Sequence, residues 1–296
     1  RGVSHFIQKG KRATFDCIRL VNRLKELPRS VFFKIFDTQV VPILLYSSEV
    51  WGLQRLENLE RVHVLAIKRY LRVPMKTPNR LVYGESGRYP LYISSTLRCI
   101  KYWLKLLRMP DSRLPKQAYN MMLTMVQNGK KCWAMKVHDC LFSNGFGYVW
   151  VNQFVPNEKQ FISELKQRLS DNYGQEWWAA LQDSDRYSMY RQFKTHIGPE
   201  LYFECVTVRC FRDVLVKFRV GVLLLNYSAQ RARIGIRGDA SCVACKAVME
   251  SEEHFLLYCP EYNSLRDKYI TKYIRGNYSF QFLMQCTTDE KTRDLA

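Results

Sequence analysis

Apolar residues recur at every third or fourth position along most of this chain, a spacing typical of one buried face of an α-helix. Over residues 11–27 the apolar positions fall on one side, whereas Arg12, Arg19 and Arg23 fall largely on the other. Pro28 follows, and proline is common just beyond a helix end. The pattern therefore predicts an amphipathic helix with a cationic outer face.

The helical pattern continues in two further segments. Residues 31–51 are apolar almost all round, and Pro42 interrupts them, which predicts a buried helix pair with a kink or break between its members. Residues 54–73 predict a third helix, in which Glu57 and Arg61 are spaced to pair across one turn.

A turn-rich connector and a basic helix are predicted next. Prolines and glycines punctuate residues 75–92, and helical spacing returns over residues 94–109. In that helix four basic residues recur at spacings of three, four and three: Arg98, Lys101, Lys105 and Arg108. They predict a ridge that follows a phosphate backbone, beside Tyr102 and Trp103, which could stack on bases. A solvated cationic face with buried aromatic residues is the alternative.

The rest of the chain is also mostly helical in pattern. Further helices are predicted over residues 116–127, 131–144, 158–173, 207–220 and 260–274. Aromatic side chains at helical spacing belong to a core more often than to a ligand site. The predicted core members are Trp150, Trp177, Trp178, Tyr148, Tyr187 and Tyr190.

The charge of the chain is large and unevenly placed. Its 296 residues include 46 lysines and arginines against 27 aspartates and glutamates, a net charge of +19, of which residues 1–110 contribute +14. Such an excess favours nucleic acid as the partner. The alternative is a fragment whose acidic counterpart lies elsewhere. The predicted nucleic-acid-binding residues are Arg12, Arg19, Arg23, Arg61, Lys68, Arg69, Arg98, Lys101, Lys105 and Arg108.

One short segment offers four metal ligands in the pattern C-x2-C-x8-H-x4-C. They are Cys242, Cys245, His254 and Cys259. Three thiolates and one imidazole suit Zn²⁺, and four protein ligands make a closed, structural site. The alternatives are a chance cluster or a disulfide. The other cysteines are scattered, which predicts reduced, buried thiols in a cytosolic or nuclear protein.

No catalytic pattern stands out in the sequence. It contains no glycine-rich phosphate loop and neither an H-E-x-x-H nor a G-x-S-x-G motif. The carboxylate pairs Asp183 with Asp185 and Glu252 with Glu253 are expected to be solvated, and the histidines are expected to be structural. The longest apolar stretch is far shorter than the about 20 residues of a membrane helix, so no membrane partner is expected.

Four segments together resemble the C-terminal region of LINE-type non-LTR retrotransposon reverse transcriptases. They are VVPILLYSSEVWG at 40–52, LERVHVLAIKRYLRVP at 59–74, YGESGRYPLYI at 83–93 and HFLLYCPEYNSLRDKYI at 254–270. The resemblance implies a thumb that grips template and primer, a helical connector and a zinc knuckle. The sequence lacks the paired aspartates of that family's palm, which are expected in a polymerase domain upstream of Arg1, so this chain is not expected to polymerise.

These inferences combine into one hypothesis. The chain is expected to be mainly α, with a thumb-like basic unit at 1–74, a helical connector at 75–238 and a CCHC zinc knuckle with a C-terminal helix at 239–296. It is expected to bind RNA or RNA/DNA duplex without catalysis or a small-molecule substrate, in the nucleus or cytoplasm and not as a secreted protein. A zinc-dependent protein-interaction adaptor derived from a retroelement is the alternative.

Overall fold

Helices form nearly all the regular structure in the part of the chain that the structure describes, which confirms the predicted mainly α fold class. The structure, a computed structural model, describes residues 2–24, 27–206, 208–223, 225, 240–246, 249–272 and 278–285. Within these ranges the β-type pairing is one isolated antiparallel bridge between Ser241 and Met249.

In chain order the helices are α1 (Gly2–Arg23), α2 (Arg29–Gln39), α3 (Val41–Leu44), α4 (Ser48–Trp51), α5 (Glu57–Tyr70), α6 (Asn79–Ser86), α7 (Leu91–Leu107), α8 (Leu114–Gln127), α9 (Trp133–Ser143), α10 (Gly147–Asn152), α11 (Glu158–Gln182), α12 (Tyr190–Phe193), α13 (Tyr202–Cys205), α14 (Arg209–Arg219), α15 (Asn263–Arg266) and α16 (Phe280–Gln285). Short 3-10 turns lie at Asp185–Tyr187 and Pro260–Tyr262, and π-helical turns lie at His254–Tyr258 and Asp267–Thr271.

The predicted break at Pro42 is confirmed, because α2 ends before it and Pro42 lies in the first turn of α3. There its missing N–H costs no intrahelical hydrogen bond. The turn-rich connector predicted over 75–92 also contains a helix, α6, which the sequence pattern did not predict. Helix α11 also extends nine residues past the predicted end at 173, to Gln182.

The chain forms two compact units drawn from alternating segments. Unit 1 comprises Arg1–Ala13, Asp37–His63 and Tyr89–Gln175, and unit 2 comprises Thr14–Phe36, Val64–Arg88 and Glu176–Ala296. The division into three successive domains therefore stays a prediction.

Unit 1 is built around α7. The indole of Trp103 is fully buried, donates to the Tyr119 hydroxyl at 2.8 Å and stacks on Trp150. On another side α4 crosses α7 closely, and the Ser95 hydroxyl donates to the Gly52 carbonyl at 2.7 Å. A Cβ at Gly52 would lie 2.6 Å from the Ser95 carbonyl oxygen, so this crossing requires glycine.

Unit 2 is built around α6 and a buried group of charged residues. The side chains of Glu85 and Arg219 are both fully buried, and the guanidinium Nε donates to a Glu85 oxygen at 3.0 Å. Tyr202 donates its hydroxyl to Glu85 at 2.5 Å, and Glu200 accepts from Arg219 at 2.7 Å. Because a buried charge is costly unless it is paired, these contacts let unit 2 bury α6 and α14 together.

The predicted aromatic core is confirmed in part. Trp177, Tyr187 and Tyr190 are buried in unit 2, and the Trp177 indole donates to the Arg80 carbonyl at 2.8 Å. The prediction is wrong for Tyr148, which is 59% exposed on α10 of unit 1. The helical period alone did not show which side of α10 faces solvent.

Candidate metal centre and cationic surfaces

The four predicted ligands lie together in unit 2 and could hold a metal ion. The thiol sulfurs of Cys242, Cys245 and Cys259 and a ring nitrogen of His254 all lie within 4.8 Å of one another. Cys242 and Cys259 are almost fully buried, and His254 is 7% exposed. The segment therefore presents its ligands to a common, shielded point.

Two of the six distances between ligand atoms match the edges of a tetrahedron. Thiolates about 2.3 Å and imidazole about 2.0–2.1 Å from a tetrahedral zinc are separated by roughly 3.8 Å between sulfurs and roughly 3.5 Å between sulfur and nitrogen. The Sγ atoms of Cys242 and Cys259 are 3.8 Å apart, and the Cys245 Sγ is 3.4 Å from the His254 Nε2. These edges suit a four-coordinate ion with no protein ligand missing.

Backbone hydrogen bonds shape both halves of the cluster. In the first half the Lys246 amide donates to the Cys242 carbonyl at 2.8 Å, which closes the C-x2-C turn. In the second half the Cys259 amide donates to the His254 carbonyl at 2.8 Å, five residues back. This is a π-helical turn, wider than an α-helical one, and such turns are frequent at functional sites.

Two charged side chains support the ligand segments. Arg266 donates from Nε to the Leu256 carbonyl at 2.7 Å and from Nη2 to the Cys259 carbonyl at 3.0 Å, which ties α15 to the π-helical turn. Glu250 is buried, and it accepts from the Val243 amide at 3.4 Å beside the first ligand pair. The sequence motif did not reveal either support, because neither residue is a ligand.

The buried Cys259 thiol resists ionisation on its own. Burial raises its pKa, and hydrogen bonds with the Cys242 and Cys245 thiols raise the pKa further. A divalent ion bound by the cluster would counteract both effects, because it deprotonates a coordinating thiol. Metal binding at this cluster should therefore release protons.

The remaining cysteines are free thiols where they are described, but they are not uniformly buried. Cys17 and Cys99 are buried, whereas Cys205 and Cys210 are exposed. The prediction of buried thiols is therefore wrong for the last two. Cys286 lies outside the described residues.

The basic ridge of α7 is only partly available to a ligand. Lys101 and Lys105 are exposed. Arg98 donates to the Leu45 carbonyl at 3.0 Å, and Arg108 pairs with Glu158 at 3.0 Å. Two lysines of the ridge are therefore directly accessible to a phosphate. Arg108 could also contact a phosphate once its surface ion pair with Glu158 opens.

One of the two aromatic residues beside the ridge is not available to stack on bases. Trp103 is fully buried in the core of unit 1. Tyr102 is half-buried and meets the Trp133 ring edge-on, with 6.0 Å between centroids. Trp103 therefore cannot stack on a base, because its indole packs inside the core and donates its hydrogen bond to Tyr119.

The other predicted cations differ in their surroundings. Arg12, Arg23 and Arg69 are exposed. Arg19 forms an exposed ion pair with Asp16, and Arg61 forms one with Glu57 as the spacing predicts. Lys68 is buried instead, and its ammonium donates to the Met75 carbonyl at 2.8 Å.

A cationic groove in unit 2 gathers some of these residues with others that sequence reasoning missed. Its walls come from residues 15–22 of α1, residues 68–76 at and beyond the end of α5, and residues 214–223 at the end of α14. The missed cations are Arg72, Lys76 and Lys217. No local signal marks them, because the three segments are far apart in sequence.

His63, one of the histidines expected to be structural, contacts a carboxylate. His63 is buried on α5, and its Nδ1 lies 2.8 Å from a Glu60 oxygen. The other Glu60 oxygen accepts from the Leu91 amide at 2.9 Å, at the start of α7. Glu60 thereby satisfies an amide that the helix leaves open, which is a structural role.

Comparison of the chain with models of known families, with curated proteins and with solved structures gives no match. The likeness to LINE-type reverse transcriptases therefore remains a prediction that the sequence motifs carry. In the part of the chain that the structure describes, no helix is long and apolar enough to cross a bilayer.

Proposed function

We propose that this chain is a non-catalytic nucleic-acid-binding part of a LINE-type reverse transcriptase, which binds RNA or RNA/DNA duplex through basic helices and is stabilised by a structural zinc knuckle. One observation carries the proposal. Four ligand atoms are clustered within 4.8 Å in a chain whose net charge is +19. A shielded quartet of this type holds a fold, and the positive excess attracts phosphate.

The choice of zinc rests on ligand type and geometry. Soft thiolates with one imidazole at tetrahedral spacing select Zn²⁺ over the oxygen-preferring Mg²⁺ and Ca²⁺. With four protein ligands the ion has no open position for water or substrate. Its contribution is therefore to the folding of the segment around Cys242 and Cys259.

Binding without sequence preference follows from the kind of contact available. Exposed Lys101 and Lys105 on α7 can approach phosphates, and phosphate contacts carry no sequence information directly. Polymerisation would need carboxylates that fix two metal ions near the attacking and leaving oxygens. The proposal assigns that chemistry to a separate palm domain of the parent protein.

A protein-interaction adaptor is the second candidate, and one surface favours it. Tyr148, Val151 and Phe154 lie on or just after α10 and are each more than half exposed. Exposed apolar patches mark protein-binding sites in some soluble proteins. Such binding would depend little on salt, unlike binding to phosphate.

Mobility-shift titrations with purified chain test the proposal. Two RNAs of unrelated sequence and one RNA/DNA duplex should bind with similar affinity, and a primed template with Mg²⁺ and nucleotides should not be extended. Strong preference for one RNA sequence, or extension of the primer, would contradict the proposed function. Binding to a protein at high salt with no binding to nucleic acid would favour the adaptor.

A further inference from the structure

The groove of unit 2 is lined by cationic and apolar side chains. It is open to solvent and has a volume of about 1170 Å³. No carboxylate is among its described lining residues, whereas six cationic side chains are: Arg19, Lys68, Arg69, Arg72, Lys76 and Lys217. The volume exceeds the roughly 300–1000 Å³ of a small-molecule pocket, so an extended polymer fits it better than a single small anion.

We infer that this groove is the binding site for a single-stranded nucleic acid, whose phosphates contact the cationic side chains of the lining and whose bases lie against its apolar side chains. The inference rests on the proposed function and assigns it to one place in unit 2. Charge complementarity identifies the occupant, since the lining contains three cations without an ion pair in the described residues, Arg69, Lys76 and Lys217, and no carboxylate, which favours a polyanion.

The apolar lining of the groove distinguishes a nucleic acid from a simple polyanion. Phe15 lies on α1 with 40% of its surface exposed, and Val214 on α14 is 52% exposed. An exposed aromatic face beside a cationic wall is the arrangement that stacks bases of a single strand without regard to sequence. A polymer of acidic residues alone, such as polyglutamate, would gain from the cations but has no aromatic ring to stack on Phe15.

Three of the cations are available for phosphate. Within the described residues Arg69, Lys76 and Lys217 form no ion pair and are exposed or half-exposed. Arg19 and Arg72 pair with Asp16 at 3.3 Å and with Asp213 at 3.1 Å. The first three residues should therefore dominate the electrostatic part of binding.

The candidate metal centre supports one wall of the same groove. Helix α14 carries Lys217 into the groove and buries its neighbour Phe218. The Phe218 ring lies 6.2 Å from the ring of Phe255, which follows the ligand His254. Loss of the metal should thus weaken strand binding although the ion contacts no nucleic acid.

The experiment compares two triple variants of the full chain. Arg69→Gln, Lys76→Gln and Lys217→Gln together remove three groove charges. The matched control, Lys159→Gln, Lys166→Gln and Arg168→Gln, removes the same charge from exposed positions on α11. Affinity for a fluorescein-labelled oligouridylate is measured by anisotropy over a range of salt, and circular dichroism verifies that each variant is folded.

The groove variant should lose roughly tenfold or more in affinity, and its slope of log affinity against log salt should be shallower by about 2, since each single-strand contact contributes about 0.7. The control should keep its slope. Equal losses in both variants, or displacement of the probe by polyglutamate as readily as by RNA, would overturn the groove assignment but leave nucleic-acid binding intact. No binding by the unaltered chain would overturn both.

Photo-cross-linking locates the strand independently of charge. An iodouridine-substituted oligonucleotide bound to the unaltered chain should cross-link to the peptide that contains Phe15, and Phe15→Ala should abolish that cross-link. Cross-links confined to peptides outside the groove would place the strand elsewhere and contradict the inference even if the affinity changes were as expected.

Discussion

The amide of Cys259 donates to the carbonyl of His254 at 2.8 Å, so two predicted metal ligands are joined by the hydrogen bond of a single π-helical turn. Five residues of an α-helix would leave these side chains well apart around the axis. The wider turn brings both to the cluster with Cys242 and Cys245. The spacing H-x4-C is therefore explained by this local backbone geometry.

Removal of one ligand should abolish stoichiometric zinc. We expect Cys259→Ser to lose the metal, because a hydroxyl is a poor replacement for a thiolate in a site whose apparent zinc binding energy is roughly 10–16 kcal/mol. The matched control is Cys210→Ser, an exposed thiol outside the cluster. Elemental analysis of the purified chains gives the zinc content, and stoichiometric zinc in Cys259→Ser would exclude the quartet as the site.

Arg266 should position the π-helical turn without binding the metal. We expect Arg266→Lys to lower zinc affinity by about tenfold, because lysine keeps the charge but cannot donate in the fork that reaches both Leu256 and Cys259. Lys268→Gln removes a nearby exposed charge and should leave the affinity unchanged. Competition with a chromogenic chelator measures the zinc affinity. Equal zinc affinities for Arg266→Lys and the unaltered chain would rule out a positioning role for Arg266.

Two glycines should respond in opposite ways to alanine. Gly87 has φ +64 at the end of α6, and a Cβ there would lie 2.3 Å from the Pro199 nitrogen, so Gly87→Ala should destabilise the chain by about 2 kcal/mol or more. Gly174 lies inside α11 with nothing within 4 Å, so Gly174→Ala should stabilise it by about 0.5–1 kcal/mol. Denaturant unfolding measures both changes, and a stabilising Gly87→Ala would disprove the close approach.

Thiol reactivity should follow burial. Desolvation raises the pKa of Cys99 to about 12 and that of Cys140 to about 11, so at mildly alkaline pH neither is a thiolate in the folded chain. Cys205 and Cys210 are exposed and should react first with a maleimide. Peptide mass spectrometry after a short exposure orders the sites, and modification of Cys99 as fast as Cys210 would contradict the packing around α7.

Local features of this chain were predictable from sequence. The quartet was visible because its ligands span only eighteen residues, from Cys242 to Cys259, and the break at Pro42 was visible because proline acts on its own turn. Helix α6 was not visible in the sequence, because the glycines in and just after it resemble turn signals. Gly84 is there because a Cβ would lie 2.4 Å from the Tyr190 hydroxyl, a contact 106 residues away in sequence.

Features that combine distant segments of the chain could not be predicted from the sequence. The spacing of Arg98 to Arg108 showed one helix face but not which side packs against the core, so it left open whether Trp103 is buried or available for stacking. The groove combines three segments between residues 15 and 223, and no period connects Lys76 with Lys217. Such sites depend on tertiary packing, which local periodicity does not encode.

The salt dependence of RNA binding by the intact, zinc-loaded chain is the most direct test that it is a nucleic-acid-binding protein. Affinity for an oligouridylate is measured across salt concentrations, and the slope of log affinity against log salt is determined. We expect the slope of log affinity against log salt to be about −2 or steeper, because at least three phosphate contacts should each contribute about −0.7. A slope near zero, or no measurable binding at low salt, would contradict it.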